Sequence, residues 1–207
     1  MNKKNTIKVW DILVRIFHWS LVVSFAIAYF TQEEDNVLHI YSGYIVLGLV
    51  SFRLIWGVVG TKYARFSNFI YSPQKVLEYS KSLLNNNPKH YTGHNPLGGW
   101  MIIALLLSLF VVTLSGLKVY AIEENKGLFS ESMPSLINNA YADSEEEEDE
   151  HKSRSNEQEE EFWEEIHEVS TNIVLLLIFL HIVGVLVAAK LHKENLVSAM
   201  ITGNKKL

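Results

Sequence analysis

Four histidines of this chain lie inside long apolar stretches, where an ionisable side chain is costly and points to a function. They are His18, His39, His167 and His181. His167 and His181 are 14 residues apart. On one helix this spacing leaves them about 40° out of line and about 21 Å apart along the axis. A single helix therefore offers two imidazoles at two different depths.

The depths of the four histidines match in pairs. Measured along the helices from the ends of the apolar stretches, His167 and His39 lie about 7 Å and about 3 Å from one surface. His181 and His18 lie about 12 Å and about 9 Å from the other surface. Zinc would need further Asp, Glu, Cys or His ligands close by, whereas six-coordinate haem iron needs two axial imidazoles and an apolar slot. The count and the spacing favour two b-type haems, with these four histidines as the ligands of the two irons.

Two arginines lie close to the depth of the His18 and His181 pair. Arg53 follows His39 by 14 residues on the same helix face, and Arg15 precedes His18 by three residues, which is one helical turn. Haem propionates are anions that pair with cations, so both arginines are candidate partners of the haem at this depth, which we call the inner haem. Snorkelling of the arginines to lipid headgroups is the alternative interpretation.

His94 and three tryptophans lie near the same inner level. His94 stands in the turn Gly93–Trp100 that begins the third apolar stretch, and Trp19, Trp56 and Trp100 lie close to the same surface. This gathering of polar and aromatic residues predicts a quinone site beside the inner haem. His94 would relay protons there, although a structural hydrogen bond or one to a propionate is the other interpretation of this residue.

Four apolar stretches must position these residues. They cover residues 12–30, 37–59, 98–121 and 162–189, each near the roughly 20 residues that a helix needs to cross a bilayer. The sequence therefore predicts an all-α membrane protein, a bundle of four transmembrane helices in a single domain. Cysteine is absent, which excludes disulfides, thiolate-bound iron–sulfur clusters and covalently attached haem.

Loop charge predicts the orientation of the bundle. Lysine and arginine gather before the first stretch, between the second and third, and after the fourth, which places these segments and both termini in the cytoplasm. Residues 122–161 then form a periplasmic loop, and their acidic, low-complexity composition predicts disorder. A solvated spacer and a docking surface for a basic partner are both open interpretations of this loop.

The motifs that carry these residues resemble the bacterial cytochrome b561 and nickel-iron hydrogenase cytochrome b family. The matching motifs are Val9–Trp19, His39 with Gly43, Arg53–Gly57, Gly93–Gly98, and Glu164–Glu168 with His181. The resemblance implies a four-helix bundle of the bacterial inner membrane with two non-covalent b haems bound by histidines of helices 1, 2 and 4. It also implies electron transfer between the quinone pool and a periplasmic c-type cytochrome or hydrogenase.

Three functions from different classes remain to be weighed. The leading hypothesis is an electron carrier, alone or as a subunit of an oxidoreductase, because no residue here predicts substrate chemistry. The resemblance also implies a second candidate, a superoxide oxidase that reduces quinone, but residues 122–165 hold 16 acidic against three basic residues, and a net charge of −13 repels an anion. A haem-free transporter with histidine proton relays is the third. Nucleic acid is not an expected partner of a chain with a net charge of −5.

Overall fold

A computed structural model describes residues 6–32, 36–85, 88–124, 128 and 145–206, and for residues 124, 145–156 and 206 it describes the backbone alone. Six α-helices and two short strands make up this part of the chain. In chain order they are β1 (Thr6–Lys8), α1 (Ile12–Phe30), α2 (Val37–Val59), α3 (Pro73–Leu84), α4 (Pro96–Glu124), α5 (Glu145–His192), α6 (Leu196–Thr202) and β2 (Asn204–Lys206), with a 3-10 turn at Phe66–Asn68 after α2.

Four of these helices are long and apolar enough to cross a membrane. The candidate spans are Ile12–Phe30, Val37–Val59, Pro96–Glu123 and Glu157–His192. The prediction of an all-α membrane bundle is therefore confirmed. Local signals define where the first two spans start: Asp11 accepts a hydrogen bond from the backbone N–H of Val14, and Asn36 accepts one from Leu38.

The four spans pack in the order α1, α2, α4, α5. Close backbone contacts join α1 to α2, α2 to α4, and α4 to α5. The shared core is apolar and draws on all four helices; its buried members are Phe17, Val46, Val50, Leu106, Leu109, Val112 and Val174. Within the described residues, α5 makes few or no close backbone contacts with α1 and α2.

The two terminal segments meet at one end of the bundle, which we call the termini end. Strands β1 and β2 pair antiparallel there, with Ile7 opposite Lys205. Helix α6 ends at Gly203, whose positive φ of 86° allows the turn into β2. Apolar contacts of Val9, Trp10 and Ala199 complete this small unit. The opposite end of the bundle, where α1 leads into α2 and α4 ends, is called the far end below.

The acidic segment before the last span is helical at both of its described ends. Helix α4 continues to Glu124 and α5 begins at Glu145, and the disorder expected within residues 122–161 stays a prediction. The part of the loop at residues 125–127 and 129–144 lies outside the described residues. The reason for the helix is composition: the chain has neither glycine nor proline between Pro134 and Gly184, and glutamate is a good helix former.

Candidate functional site

His39 and His167 lie together at the far end of the bundle. Their ring centres are 6.1 Å apart and the ring planes are inclined by 80°. An imidazole nitrogen binds a transition metal at about 2 Å, and the ring centre lies roughly 1 Å beyond it, so two rings on one ion are about 6 Å apart. The spacing of the two rings therefore fits two ligands of one metal ion.

The second nitrogen of each ring is already engaged with the backbone. Nδ1 of His39 lies 2.8 Å from the carbonyl oxygen of Ala28, and Nδ1 of His167 lies 3.0 Å from that of Val112. A carbonyl oxygen only accepts hydrogen bonds, so each Nδ1 must carry the ring proton and donate the hydrogen bond. This tautomer leaves both Nε2 atoms with a free electron pair, as in metal-binding histidines whose other nitrogen donates to a second group.

Helix α4, which carries no histidine, supports the ring of His167. A Cβ atom at Gly116 would lie 2.7 Å from Cε1 and 2.9 Å from Nδ1 of this ring, so only glycine leaves the ring its place. The hydroxyl of Ser115, a residue that is 1% exposed, lies 3.3 Å from the same Nδ1 and donates to Val112. Neither residue could be identified from the sequence, because a glycine and a serine within an apolar helix carry no signal of their own.

His18 and His181 form the second pair, towards the termini end. His18 lies on α1 and His181 on α5, near enough for the charge of one to affect the other, and both side chains are partly buried. Nδ1 of His18 is enclosed and has no hydrogen-bond partner among the described residues. The pairing of His18 with His181 as ligands of one iron stays a prediction.

The two arginines lie at the termini end, and each donates a hydrogen bond to a backbone carbonyl of this chain. Arg53 is only 3% exposed; its Nη2 donates to the carbonyl of Ala64, and its guanidinium lies 5.0 Å from the ring centre of Phe66. Arg15 donates from Nη1 to the carbonyl of Thr202 at 3.1 Å. Each arginine therefore uses one nitrogen to hold a neighbouring segment of backbone.

Unpartnered polar atoms concentrate around the second pair. Five buried side-chain nitrogen or oxygen atoms lack a hydrogen-bond partner in the described part of the chain. Four of them belong to this region: Arg15 Nε, His18 Nδ1, Arg53 Nη1 and His94 Nδ1. Buried donors without partners are rare and call for an explanation. A bound group with anionic oxygens, such as haem with its propionates, would supply acceptors to the two arginines.

His94 is held by aromatic rings beneath the terminal segments. Its ring centre lies 4.5 Å from that of Trp10 and 4.6 Å from that of Phe69. A cavity of about 250 Å³ reaches this histidine, and its other lining residues are Lys62, Tyr63, Asn68, Phe69, Tyr71, Tyr91, Thr92 and Gly93. His94 is therefore an enclosed residue that touches a cavity.

The three tryptophans grouped with His94 do not line its cavity. The indole N–H of Trp56 donates to Asp11, the indole N–H of Trp100 donates to the carbonyl of Tyr71, and Trp19 stacks edge-on against His18. The quinone site predicted from this grouping stays a prediction.

Comparison with known proteins assigns the chain to a family. The family model described as prokaryotic cytochrome b561 matches residues 9–203, which is nearly the whole chain and includes all four histidines. No curated protein and no solved structure matches the chain. The chain belongs to the prokaryotic cytochrome b561 family, whose members are membrane proteins that bind haem b and transfer electrons.

Proposed function

We propose that the chain is a di-haem cytochrome that carries electrons across the bacterial inner membrane between quinone and a periplasmic partner. The observation that carries this proposal is the His39 and His167 pair, with rings 6.1 Å apart and both Nδ1 atoms engaged by backbone carbonyls. That arrangement leaves both Nε2 atoms free to bind, on rings at a spacing that bis-histidine ligation of one iron would need.

A second haem would be held by His18 and His181. Among the described residues, α5 makes few or no close backbone contacts with α1 and α2, a separation that would suit a flat group held by their side chains. Arg53 and Arg15 each have an enclosed nitrogen that has no partner in the described part of the chain. The arginines would therefore bind the propionates, a role that the burial of Arg53 supports more strongly than snorkelling to headgroups.

The protein's own contribution is ligation, orientation and a dry surround. Haem b, when bound, supplies a one-electron carrier that neither histidine nor arginine can replace. The imidazoles would fix the coordination of the iron, the backbone carbonyls of Ala28 and Val112 would fix the tautomer, and the apolar core would exclude water. These are the levers by which a protein sets the reduction potential of a haem.

The charge of the loops supports the orientation of this proposal. The termini end would face the cytoplasm, because lysine and arginine gather in the segments that meet there. The far end, with its acidic segment, would face the periplasm and a basic c-type cytochrome, or a hydrogenase. The His18 and His181 pair is then the inner pair, and the His39 and His167 pair is the outer pair.

Quinone would react at the termini end, near the inner pair. The cavity of about 250 Å³ beside His94 supports this location, since it combines aromatic rings with hydroxyl groups and one lysine. Replacing His94 is expected to slow quinone reduction while the haem content stays the same. Unchanged turnover would remove His94 from the reaction with quinone.

Haem analysis of histidine variants tests the central proposal. Purified wild-type protein is expected to hold two haems per chain, and its reduced-minus-oxidised spectrum should show b-type bands. Replacing His18 or His181 with alanine should remove the inner haem and leave the outer one, and replacing His39 or His167 should do the reverse. His151, in the acidic segment, offers a control replacement that should leave both haems.

Other results would contradict the proposal in different ways. A wild-type chain without haem would favour the transporter hypothesis, and a His18 variant that keeps both haems would refute the pairing. Quinone reduction that depends on added superoxide would favour the oxidase hypothesis. The acidic far end argues against that activity, because it repels an anionic substrate.

A further inference from the structure

The two histidine pairs differ in the partners of their Nδ1 atoms. In the far-end pair both Nδ1 atoms donate to carbonyl oxygens, at 2.8 Å for His39 and 3.0 Å for His167. In the other pair, Nδ1 of His18 is enclosed and has no hydrogen-bond partner within the described ranges. Donation from Nδ1 to an acceptor raises the basicity of an imidazole ligand. A more basic ligand stabilises ferric iron more than ferrous iron, and so lowers the reduction potential.

Charge at the two ends acts in the same direction. Glu160 and Glu164 of α5 lie with Glu123 of α4 at the far end, and Glu164 is one helical turn from His167. At the termini end Arg15 and Arg53 are cations that each have an enclosed nitrogen without a partner among the described residues, while the buried Lys205 is paired with Glu194. Asp11 interacts with Arg53, but its oxygens accept hydrogen bonds from Thr61, Trp56 and Val14. Anions favour the more positive ferric state and cations disfavour it.

We propose that the far-end haem has the lower reduction potential of the two, and that Ser115 and Gly116 are positioning residues for its ligand His167. This inference rests on the proposed di-haem function and deepens it. The potential order would make electron transfer from the far end towards the termini end the favourable direction. The contribution of α4 is specific, because Gly116 leaves space for the ring and the carbonyl of Val112, four residues earlier, accepts a hydrogen bond from it.

The potential order can be measured in single-haem variants. Redox titration of the His18→Ala protein reports the far-end haem, and titration of the His39→Ala protein reports the termini-end haem. The first should titrate at the lower potential, and wild-type protein should show two waves in the same order. Two haems with equal or reversed potentials would overturn this inference alone, whereas fewer than two haems in wild type would overturn the proposed function and this inference with it.

Gly116→Ala tests the positioning role, with Gly184→Ala as its matched control. The added methyl group at position 116 would meet the His167 ring, while at Gly184 no atom lies within 4 Å of it. We expect the Gly116 variant to raise the potential of the far-end wave, because the displaced ring donates a weaker hydrogen bond to Val112, and to leave the other wave unchanged. The low-spin electron paramagnetic resonance signal of the far-end haem should shift as well, since it reports ring orientation.

Two results would refute the role of α4. One is a far-end wave that stays in place in Gly116→Ala, and the other is an equal shift in Gly184→Ala. If the Gly116 variant binds no far-end haem, Ser115→Ala decides, because it removes the hydroxyl near Nδ1 without adding volume. A shift of the far-end wave alone in that variant would support the positioning role, and two unmoved waves would overturn it.

Discussion

His94 combines enclosure with a position among cationic groups. Burial, with smaller contributions from Arg53, His181 and Lys205, lowers the pKa of His94 to about 3. The imidazole is therefore neutral at neutral pH, so it can donate or accept one hydrogen bond at the neighbouring cavity but holds no charge there. A proton relay through His94 would use the neutral ring, with one nitrogen accepting as the other donates.

This lowered pKa makes the fold sensitive to acid. The unfolded chain, with an ordinary histidine pKa near 6.5, binds a proton that the folded chain excludes until about pH 3. Stability contributed by neutral His94 is complete above about pH 6.5 and is lost as the pH falls from there towards 3. At pH 5, about one and a half units below the pKa of the unfolded histidine, the loss of folding stability is about 2 kcal/mol.

His94→Phe is expected to flatten this dependence. Phenylalanine can fill the space between Trp10 and Phe69 without taking up a proton. Thermal unfolding in detergent at pH 7 and at pH 5 should show a smaller difference for the variant than for the wild type. Equal differences in the two proteins would mean that His94 is not the group that titrates. His151→Phe, in the acidic segment, serves as the control.

The element that closes the termini end depends on a buried ion pair. Lys205 of β2 is 6% exposed, and its Nζ lies 2.8 Å from Glu194 Oε2 and donates to the carbonyl of Tyr91 at 3.1 Å. Nε2 of His90 also lies 2.8 Å from Oε1 of Glu194. These contacts attach the segment after α5 to the loop that precedes α4. Arg15 adds a further attachment by donating to Thr202 at the end of α6.

Breaking one partner of this pair should loosen the C-terminal segment. Lys205→Met leaves the Glu194 carboxylate partly buried with His90 as its remaining partner, and a loss of about 3 kcal/mol is the scale for a broken buried pair. Adding Glu194→Gln should recover part of that loss, since it removes the unpaired charge. Thermal unfolding of the four proteins in the double-mutant cycle measures the coupling; purely additive losses would show that the pair contributes no coupling. Lys193→Met, at an exposed position, is the control.

Helix α5 joins the last span and the acidic segment in one continuous helix. Helical structure from Glu145 means that the charges of residues 145–161 lie on a helix continuous with the one that carries His167. A dense negative field beside the far-end pair would steer a basic redox protein towards it. Deleting residues 143–161 would shorten α5, so charge removal without deletion is the cleaner test of steering.

Replacing the glutamates of residues 145–150 with glutamine should slow electron exchange with a basic periplasmic cytochrome. Glutamine keeps the helix propensity and removes the charge. The rate for wild type should fall as ionic strength rises from 0.01 M to 0.2 M, where the Debye length shrinks from about 30 Å to below about 10 Å. The variant should be slower at low salt and less dependent on salt. Superimposable rate curves would show that the segment acts only as a solvated spacer.

The sequence by itself determined the membrane bundle, its four spans and the histidines within them. Span length follows from bilayer thickness and needs no tertiary information. The helical repeat fixed the relative height of His167 and His181, and loop charge gave an orientation that stays a prediction. The level pairing of the histidines also followed from the sequence, because antiparallel helices that cross one membrane share its two surfaces.

Only the tertiary structure decided which neighbours surround each ring. The acceptors of His39 and His167 are backbone carbonyls, and every residue has one, so no residue type could mark Ala28 or Val112. Gly116 matters only because α4 and α5 approach closely there, and Lys205 is buried only because β2 pairs with β1. The start of α5 at Glu145 was likewise not evident from charge alone, because helix propensity and continuity with an anchored span favour a helix there.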